Sequence, residues 1–441
     1  MKVKFKLMIS ICCLLAQGIV LQASAQKKSA YSIEKPDSIY RLMKKVADWQ
    51  IDSINTHGWR HNELDWTSGA LYAGLIQFAE LANDPHYYQF LRAIGERNNW
   101  NLSNGKNRYH ADFYRVGDMY CRLYQIYHDP VMIKDLKLLA DTLIQRPHTE
   151  SLEWKTGGIV NREWAWCDAL FMGPPPLADL AKVTGEIKYM DLCNKLWWKT
   201  TAYLYNPDQH LYFRDGSFLN KKEKNDEPVM WSRGNGWVMS GLAEVISYMP
   251  ANYPERNKWV SLFKEMSNKI ASLQQADGTW HASLLDPSSF PVKETSGTGF
   301  YCYALAWGIN HGFLDAGKFT PVVLKAWKAL SESVHPAGML GYVQRIGGAP
   351  DQVNYNDTEV YGVGAFLLAG TEVLQLSLKQ PHLQPFIKVL NAGAPHQLGD
   401  LLKASKTNKS PKSEFVNLLD GKRLNKGAII PEATVLYLKA K

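Results

Sequence analysis

Residues 40–54 read YRLMKKVADWQIDSI and residues 65–75 read DWTSGALYAGL. Both place apolar residues at the three- and four-residue spacing of an α-helix. They differ in what fills the other positions. The first intersperses lysines, an arginine and aspartates, so it has one wet face and suits the outside of a helical assembly. The second carries no charge after Asp65 and is rich in Gly, Ala and Ser, which lets neighbouring helices approach closely. Together they read as an outer helix followed by an inner one.

The alternation continues along the chain. Helical periodicity marks twelve segments: 38–55, 66–82, 84–98, 112–127, 130–146, 168–183, 186–205, 235–249, 254–274, 296–313, 317–333 and 358–376. The even-numbered ones open DWTSGALYAGL, ADFYRVGDMYC, CDALFMGPPPL, RGNGWVMSGLA, ETSGTGFYCYA and NDTEVYGVGAF. Short turns such as NDPHY, HDP and TGEIKY lead from each inner helix to the next outer one. The opposite connections, for example 205–235 and 274–296, are long. Strand alternation is scarce, with HLYFRD near Tyr212 the clearest short candidate. Six such hairpins predict an all-α fold, a six-hairpin (α/α)6 barrel (toroid) over residues 30–377. An open solenoid would need capping repeats, and none is evident. In a closed ring the long loops gather where the inner helices begin. Helix N-termini there carry orphan N–H donors and partial positive charge, a setting for function and for an anionic sugar.

The first 25 residues have Lys2, Lys4 and Lys6, an apolar run and Ala23-Ser24-Ala25. That is a secretory leader cleaved near Ala25, which predicts an exported, periplasmic protein. No other segment reads as long and apolar enough to span a bilayer. Loss of three lysines takes the formal charge from +8 to about +5, without a dense basic cluster, so nucleic acid is a poor partner. Cys121, Cys167, Cys193 and Cys302 each sit in an apolar helical pattern and read as buried thiols, with one disulfide the alternative in an oxidising compartment. No metal-binding spacing is present, and no cofactor is implied. The aromatic fraction of 12% suits both a large core and a sugar-binding cleft. Residues 378–441 form a tail without assigned role, in which KASKTNKSPKSE reads as loop and ATVLYLKAK as a lone strand.

At the predicted mouths of the inner helices stand Asp65 and Trp66, His110 and Asp112, Glu163, Trp164, Trp166 and Asp168, then Trp231, Arg233, Asn235 and Trp237, then Glu294 and Ser296, then Asp357 and Glu359. Asp65 and Asp357 read as N-caps, and Glu294 and Ser296 as helix-start residues. Trp66 and Trp164 read as cleft wall or sugar platform. Asp168 differs: Trp166, Cys167, Leu170, Phe171 and Met172 around it are apolar, and an N-cap needs no such setting. Desolvation raises a carboxyl's pKa and keeps a proton available for general-acid work. Pro174 to Pro176 fall where missing N–H groups cost least and stiffen the segment. In WSRGNGW (231–237), two glycines bracket Asn235 in a tight turn. Arg233 lies between tryptophans, a suitable receptor for a carboxylate.

WCDALFMGPPPLADLAKVTG together with WSRGNGWVMSGLAEVI resembles the unsaturated glucuronyl and rhamnogalacturonyl hydrolases of glycoside hydrolase families 105 and 88. ADFY, LYFRDGSF, DGTWHASLLD and ETSGTGFYCYALAWGI agree in order and spacing. The resemblance implies a six-hairpin barrel. It also implies action on oligosaccharides that polysaccharide lyases leave with a 4,5-unsaturated uronic acid at the non-reducing end. It implies that Asp168 protonates C4 while water adds at C5, that Asp112 helps orient water and substrate, and that Trp231, Arg233 and Trp237 contact substrate. Relatives carry a histidine where Arg214 stands, so that role either passes to Arg214 or lapses. The alternatives are an ordinary glycosidase or sugar epimerase on the same barrel, or a non-catalytic oligosaccharide-binding protein.

Overall fold

The computed structural model describes residues 34–379, apart from 83, 104–107 and 154–162, and a few short strands beyond. The leader and most of KASKTNKSPKSE lie outside the described residues.

All twelve helical segments form. The outer helices are α1 (Pro36–His57), α3 (Pro85–Arg97), α5 (Lys134–Gln145), α8 (Lys188–Leu204), α10 (Arg256–Ser272) and α12 (Ala316–Ser331). The inner positions hold α2 (Trp66–Ala82), α4 (Val116–Tyr127), the pair α6 (Ala169–Met172) and α7 (Pro174–Thr184), α9 (Ser232–Tyr248), α11 (Thr295–Asn310) and α13 (Val360–Leu378). Inner helices touch in the order α2, α4, α7, α9, α11, α13 and back to α2, so the ring is closed. It is an (α/α)6 barrel.

Burial separates the two layers as the sequence patterning requires. On α13, 18 of 19 residues are buried, whereas α1 buries 8 of 22, all on one face. Ring closure depends on two glycines. A Cβ on Gly74 would lie 2.2 Å from the Gly364 carbonyl oxygen, and one on Gly364 would lie 2.1 Å from that of Ala70. No larger residue permits this crossing of the first and last inner helices. Contrary to the expectation from sequence, α13 is apolar and long enough to cross a membrane by composition, but it packs inside the ring.

Three local expectations need correction. The segment 168–183 is not one helix but breaks at Gly173, because Pro174 to Pro176 supply no N–H to the preceding carbonyls. Arg233 to Gly236 form no turn; α9 already begins at Ser232. Its glycines serve close packing instead: a Cβ on Gly234 would meet the Cys167 sulfur at 2.9 Å, and one on Gly236 the Phe300 Cβ at 3.2 Å. Val435–Ala440 is not a lone strand, since it pairs antiparallel with both Ser413–Asn417 and Ile387–Val389, which satisfies backbone groups a lone strand would leave open. The four cysteines are free and buried, and no disulfide joins them. HLYFRD gives a two-residue strand, β2 (Leu211–Tyr212), paired with β1 (Tyr205–Asn206).

Buried ion pairs link the inner helices. Arg115, fully buried, donates to both oxygens of Glu244 at 2.7 and 3.1 Å and to the Phe171 carbonyl at 3.0 Å. Arg122 pairs with Glu80. Burial raises Glu244 to about 7 against the opposing charge of Arg115. Asp179, also buried, is raised to about 8 by burial and by the charge of Asp118, with Arg122 opposing.

Candidate active site

Two carboxylates meet at the loop-rich end because their local segments are joined. Asp112 lies in a 3-10 turn, Ala111–Tyr114, capped by His110, whose Nδ1 accepts from the Asp112 N–H at 3.3 Å. Asp168 immediately precedes α6. Each acid follows a ring by two residues, and those rings, His110 and Trp166, pack with centroids 4.6 Å apart. Trp166 forms a bridge with Asp215, and the Cys167 N–H donates to the Arg214 carbonyl at 2.7 Å. That bridge sets Arg214 beside Asp168: Nε lies 3.7 Å from the Asp168 Oδ2, with the side chains 20% and 15% exposed. Arg214 also donates to Asp215 at 2.6 Å.

Electrostatics make the two acids a proton-holding pair. Burial raises Asp112 well above the usual carboxylate range; the charges of Asp168 and Asp65 add to this and Arg214 opposes it. Burial also raises Asp168, against the pull of Arg214 and then Arg233. Both carboxyls are thus pushed toward their protonated forms, and repulsion between them favours keeping a proton on the pair. His110 is lowered to about 4 by burial and stays neutral. Among the described residues no cluster of three or more His, Cys, Asp or Glu is placed to hold a metal ion.

The other predicted site residues divide sharply. Arg233 is fully buried and does not offer its guanidinium fork to a ligand. Nη1 donates to the Gln344 carbonyl at 2.7 Å, and Nη2 to those of Arg345 and Gly347 at 3.0 and 3.3 Å. Its planar group lies over Trp231 and Tyr361, with centroid distances of 4.6 and 5.0 Å. Trp231 is also buried and donates its indole N–H to the Gln344 Oε1 at 3.0 Å. Trp237 is core, packed on Phe300 at 4.3 Å and Phe171 at 4.9 Å. Trp164 is buried wall, pressed against Gly173. Of these tryptophans only Trp66 is partly exposed, stacked on Tyr361 at 5.4 Å.

Asn235 explains the glycine-flanked motif. Its Oδ1 accepts from the Tyr212 N–H at 2.8 Å and its Nδ2 donates to the Tyr212 carbonyl at 3.0 Å, which ties β2 to α9. Arg214 follows β2 by two residues, so the motif holds the cation that faces Asp168. Asp65 caps α2 as expected, accepting from the Thr67 N–H at 3.0 Å. Asp357 does not cap α13; the cap position is Glu359, while Asp357 accepts from the Asn354 N–H at 2.8 Å and pairs with Arg345. Glu294 caps α11, buried and accepting from Ser296, Gly297 and the Gln344 N–H.

Gln344 was not visible from sequence. It is buried, and every polar group it has is engaged: its N–H with Glu294, its carbonyl with Arg233 and Tyr361, its Oε1 with Trp231 and its Nε2 with the Ala349 carbonyl. The partners lie too far off in sequence for local spacing to reveal them.

Comparison with known proteins gives the family. The family described as Glycosyl Hydrolase Family 88 matches residues 42–377. An unsaturated 3S-rhamnoglycuronyl hydrolase from Formosa agariphila is 37% identical over 382 residues, 83% of this chain and 97% of that protein. A protein of the same name from Alteromonas sp. (strain LOR) is 30% identical, covering 80% of this chain and 92% of its own length. A solved structure named as a polysaccharide lyase superposes with a TM-score of 0.71 at 29% identity, covering 78% of this chain and 99% of that one. The family match spans all but the outermost residues of the ring that carries Asp112, Asp168 and Arg214, and the chain belongs to glycosyl hydrolase family 88.

Proposed function

We propose that this glycoside hydrolase removes a 4,5-unsaturated uronic acid from the non-reducing end of rhamnoglycuronyl oligosaccharides, the products of polysaccharide lyases. The carrying observation is the Asp112–Asp168 pair with Arg214 alongside. Asp168 gives its proton to C4 of the enol ether. Water adds at C5 and returns a proton to the Asp168 carboxylate, with Asp112 orienting that water. The hemiketal so formed at C5 opens to a ketone. C1 is left as a hemiacetal that expels the leaving sugar as an alcohol, and net one water is consumed. A uronate carboxylate arriving beside the pair adds negative charge, which offsets the cations acting on Asp168 and favours its protonated form. In this reading the partly exposed Trp66 serves as the sugar platform and Arg214 faces the carboxylate of the substrate. The relatives' name supports the rhamnose-linked substrate, and the Lys2–Ala25 leader supports export to the periplasm.

The test is absorbance at the unsaturated-uronate band with lyase digests of several polysaccharides. The signal should decay with wild type, and Asp168→Asn should slow the decay by about 10²–10⁴-fold while circular dichroism stays native. Retained activity in that variant ends the assignment of Asp168. Rising absorbance with intact polysaccharide would instead indicate a lyase, the activity for which one structural neighbour is named.

A further inference from the structure

The chain between α12 and α13 passes over the active-site end and turns at Gly347-Gly348. This tip is held firmly from beneath. Arg233 donates to the carbonyls of residues 344, 345 and 347, and the Gln344 side chain donates to the Ala349 carbonyl at 2.8 Å. The tip therefore cannot drift without breaking bonds of a buried guanidinium. Its outer surface meets Arg214. A Cβ placed on Gly348 would lie 3.2 Å from Arg214 Cζ, 3.3 Å from Nε and 3.4 Å from Nη2. Because Cζ is nearest, that methyl would sit over the face of the guanidinium rather than at its edge. Gly348 does not have a positive φ, so its lack of a side chain serves no turn conformation. What the missing side chain leaves is room for Arg214.

We propose that Gly348 is a positioning residue: its bare backbone, clamped by Arg233 and Gln344, is the seat on which the Arg214 guanidinium lies, and so fixes how far Arg214 stands from Asp168. The Asp215 carboxylate holds Nη1 on the other side, which leaves the cation little freedom. The groups that act on Asp168 are Arg214, Arg233, the Cys167 thiol and the paired Asp112, with Asp65 acting in turn on Asp112. Of these, Arg214 alone is seated on Gly348. Loop and carboxylate are thereby linked: whatever moves the tip moves the charge that governs the acid. The role assigned to Asp168 rests on the function proposed above, but the seating of Arg214 does not.

Three variants test this: Gly348→Ala, Gly348→Val and Gly347→Ala. The last adds the same methyl to the same loop, but its Cβ meets only the Arg345 carbonyl at 3.8 Å. The readout is the carboxyl titration of Asp168 by 13C NMR, identified by its loss in Asp168→Asn, so that it needs no turnover. A push on the guanidinium face displaces Arg214 from its 3.7 Å separation from Asp168. With its field partly cancelled by Asp215, each 0.3 Å should move the titration by about 0.1 pH unit, upward for retreat and downward for approach. The shift should be larger for Val than for Ala, should be absent in Gly347→Ala, and should vanish when Gly348→Ala is made in an Arg214→Gln background. An unmoved titration overturns the proposal. So does a shift equal in Gly347→Ala, or one that persists without Arg214. Failure of Asp168→Asn to lose activity would refute the proposed function while leaving this result intact.

Discussion

Replacing Arg214 by glutamine removes the cation nearest to Asp168 while keeping a polar side chain of similar reach. The attraction at 3.7 Å, with an effective dielectric of ~20, comes to about 4.5 kcal/mol. Two features reduce it. Asp215 sits 2.6 Å from the same guanidinium and cancels part of its field. Both side chains are also open to solvent on one side, 20% and 15% exposed. A residual effect of about 1.4–2.7 kcal/mol corresponds to about one to two pH units. The sign follows from the direction of the pull. Arg214 favours the ionised form of Asp168, so its loss makes Asp168 hold its proton to higher pH. A general acid must be protonated in the free enzyme, and the basic limb of kcat/KM reports that requirement. In Arg214→Gln this limb should move up by about one to two units, while Arg214→Lys, which retains the charge, should move it much less. The assay is absorbance decay of a lyase-generated oligosaccharide at a series of pH values. KM should also rise, because the substrate carboxylate loses its facing cation. A limb that stays put in Arg214→Gln, or moves equally in both variants, would refute the electrostatic reading of the site.

Two further outcomes test the scaffold. Gly364→Ala places a methyl 2.1 Å from the Ala70 carbonyl, where both partners are backbone, so α2 and α13 must separate; the cost should reach or exceed the ~1–3 kcal/mol typical of overpacking, read as a lowered Tm or a lower urea midpoint. Asp179 is raised to about 8, so between its unfolded value near 4 and 8 the native state holds a proton that the unfolded chain releases, and stability should fall as pH rises through that window. Asp179→Asn should remove this part of the slope, leaving the variant close to wild type at pH 5 and more thermostable at pH 8; equal slopes in the two proteins would show that Asp179 is ionised in the fold.

What could be read from the sequence was whatever a single helix imposes on itself. The contrast between the lysine-dotted 40–54 and the Gly/Ala/Ser-rich 65–75 reflects one wet face against none, and burial follows it residue by residue. Asp168 stood out for the same reason, since its apolar neighbours are adjacent in sequence. The misreadings arose where a residue's partner is remote. Arg233 between two tryptophans looks like a carboxylate receptor, yet its fork is taken by carbonyls 111 to 114 residues away. Gly234 and Gly236 look like a turn around Asn235, yet they answer to Cys167, Phe300 and Gly297 on neighbouring segments. Asp112 was identified, but the upward push on its carboxyl was not, because that depends on burial in the folded ring and then on Asp168 and Asp65 arriving from two other hairpins.

The same distinction bears on how the site works. Arg233, Trp231, Glu294 and Tyr361 all converge on Gln344, so the most sequence-conspicuous motif of the chain is spent on holding a loop rather than on holding a ligand. That loop in turn borders Arg214 through Gly348, and Arg214 borders the acid. A buried arginine whose two terminal nitrogens are tied to carbonyls of one loop brings a fixed charge with little mobility. Arg233 can therefore bias Asp168 from a distance with little reorganisation when substrate enters, which is the condition under which fixed charges help a reaction most. Substitution of Arg233 by lysine would keep the charge and lose the three-carbonyl clamp, so its damage should appear as displacement of the loop and of Arg214 more than as loss of field.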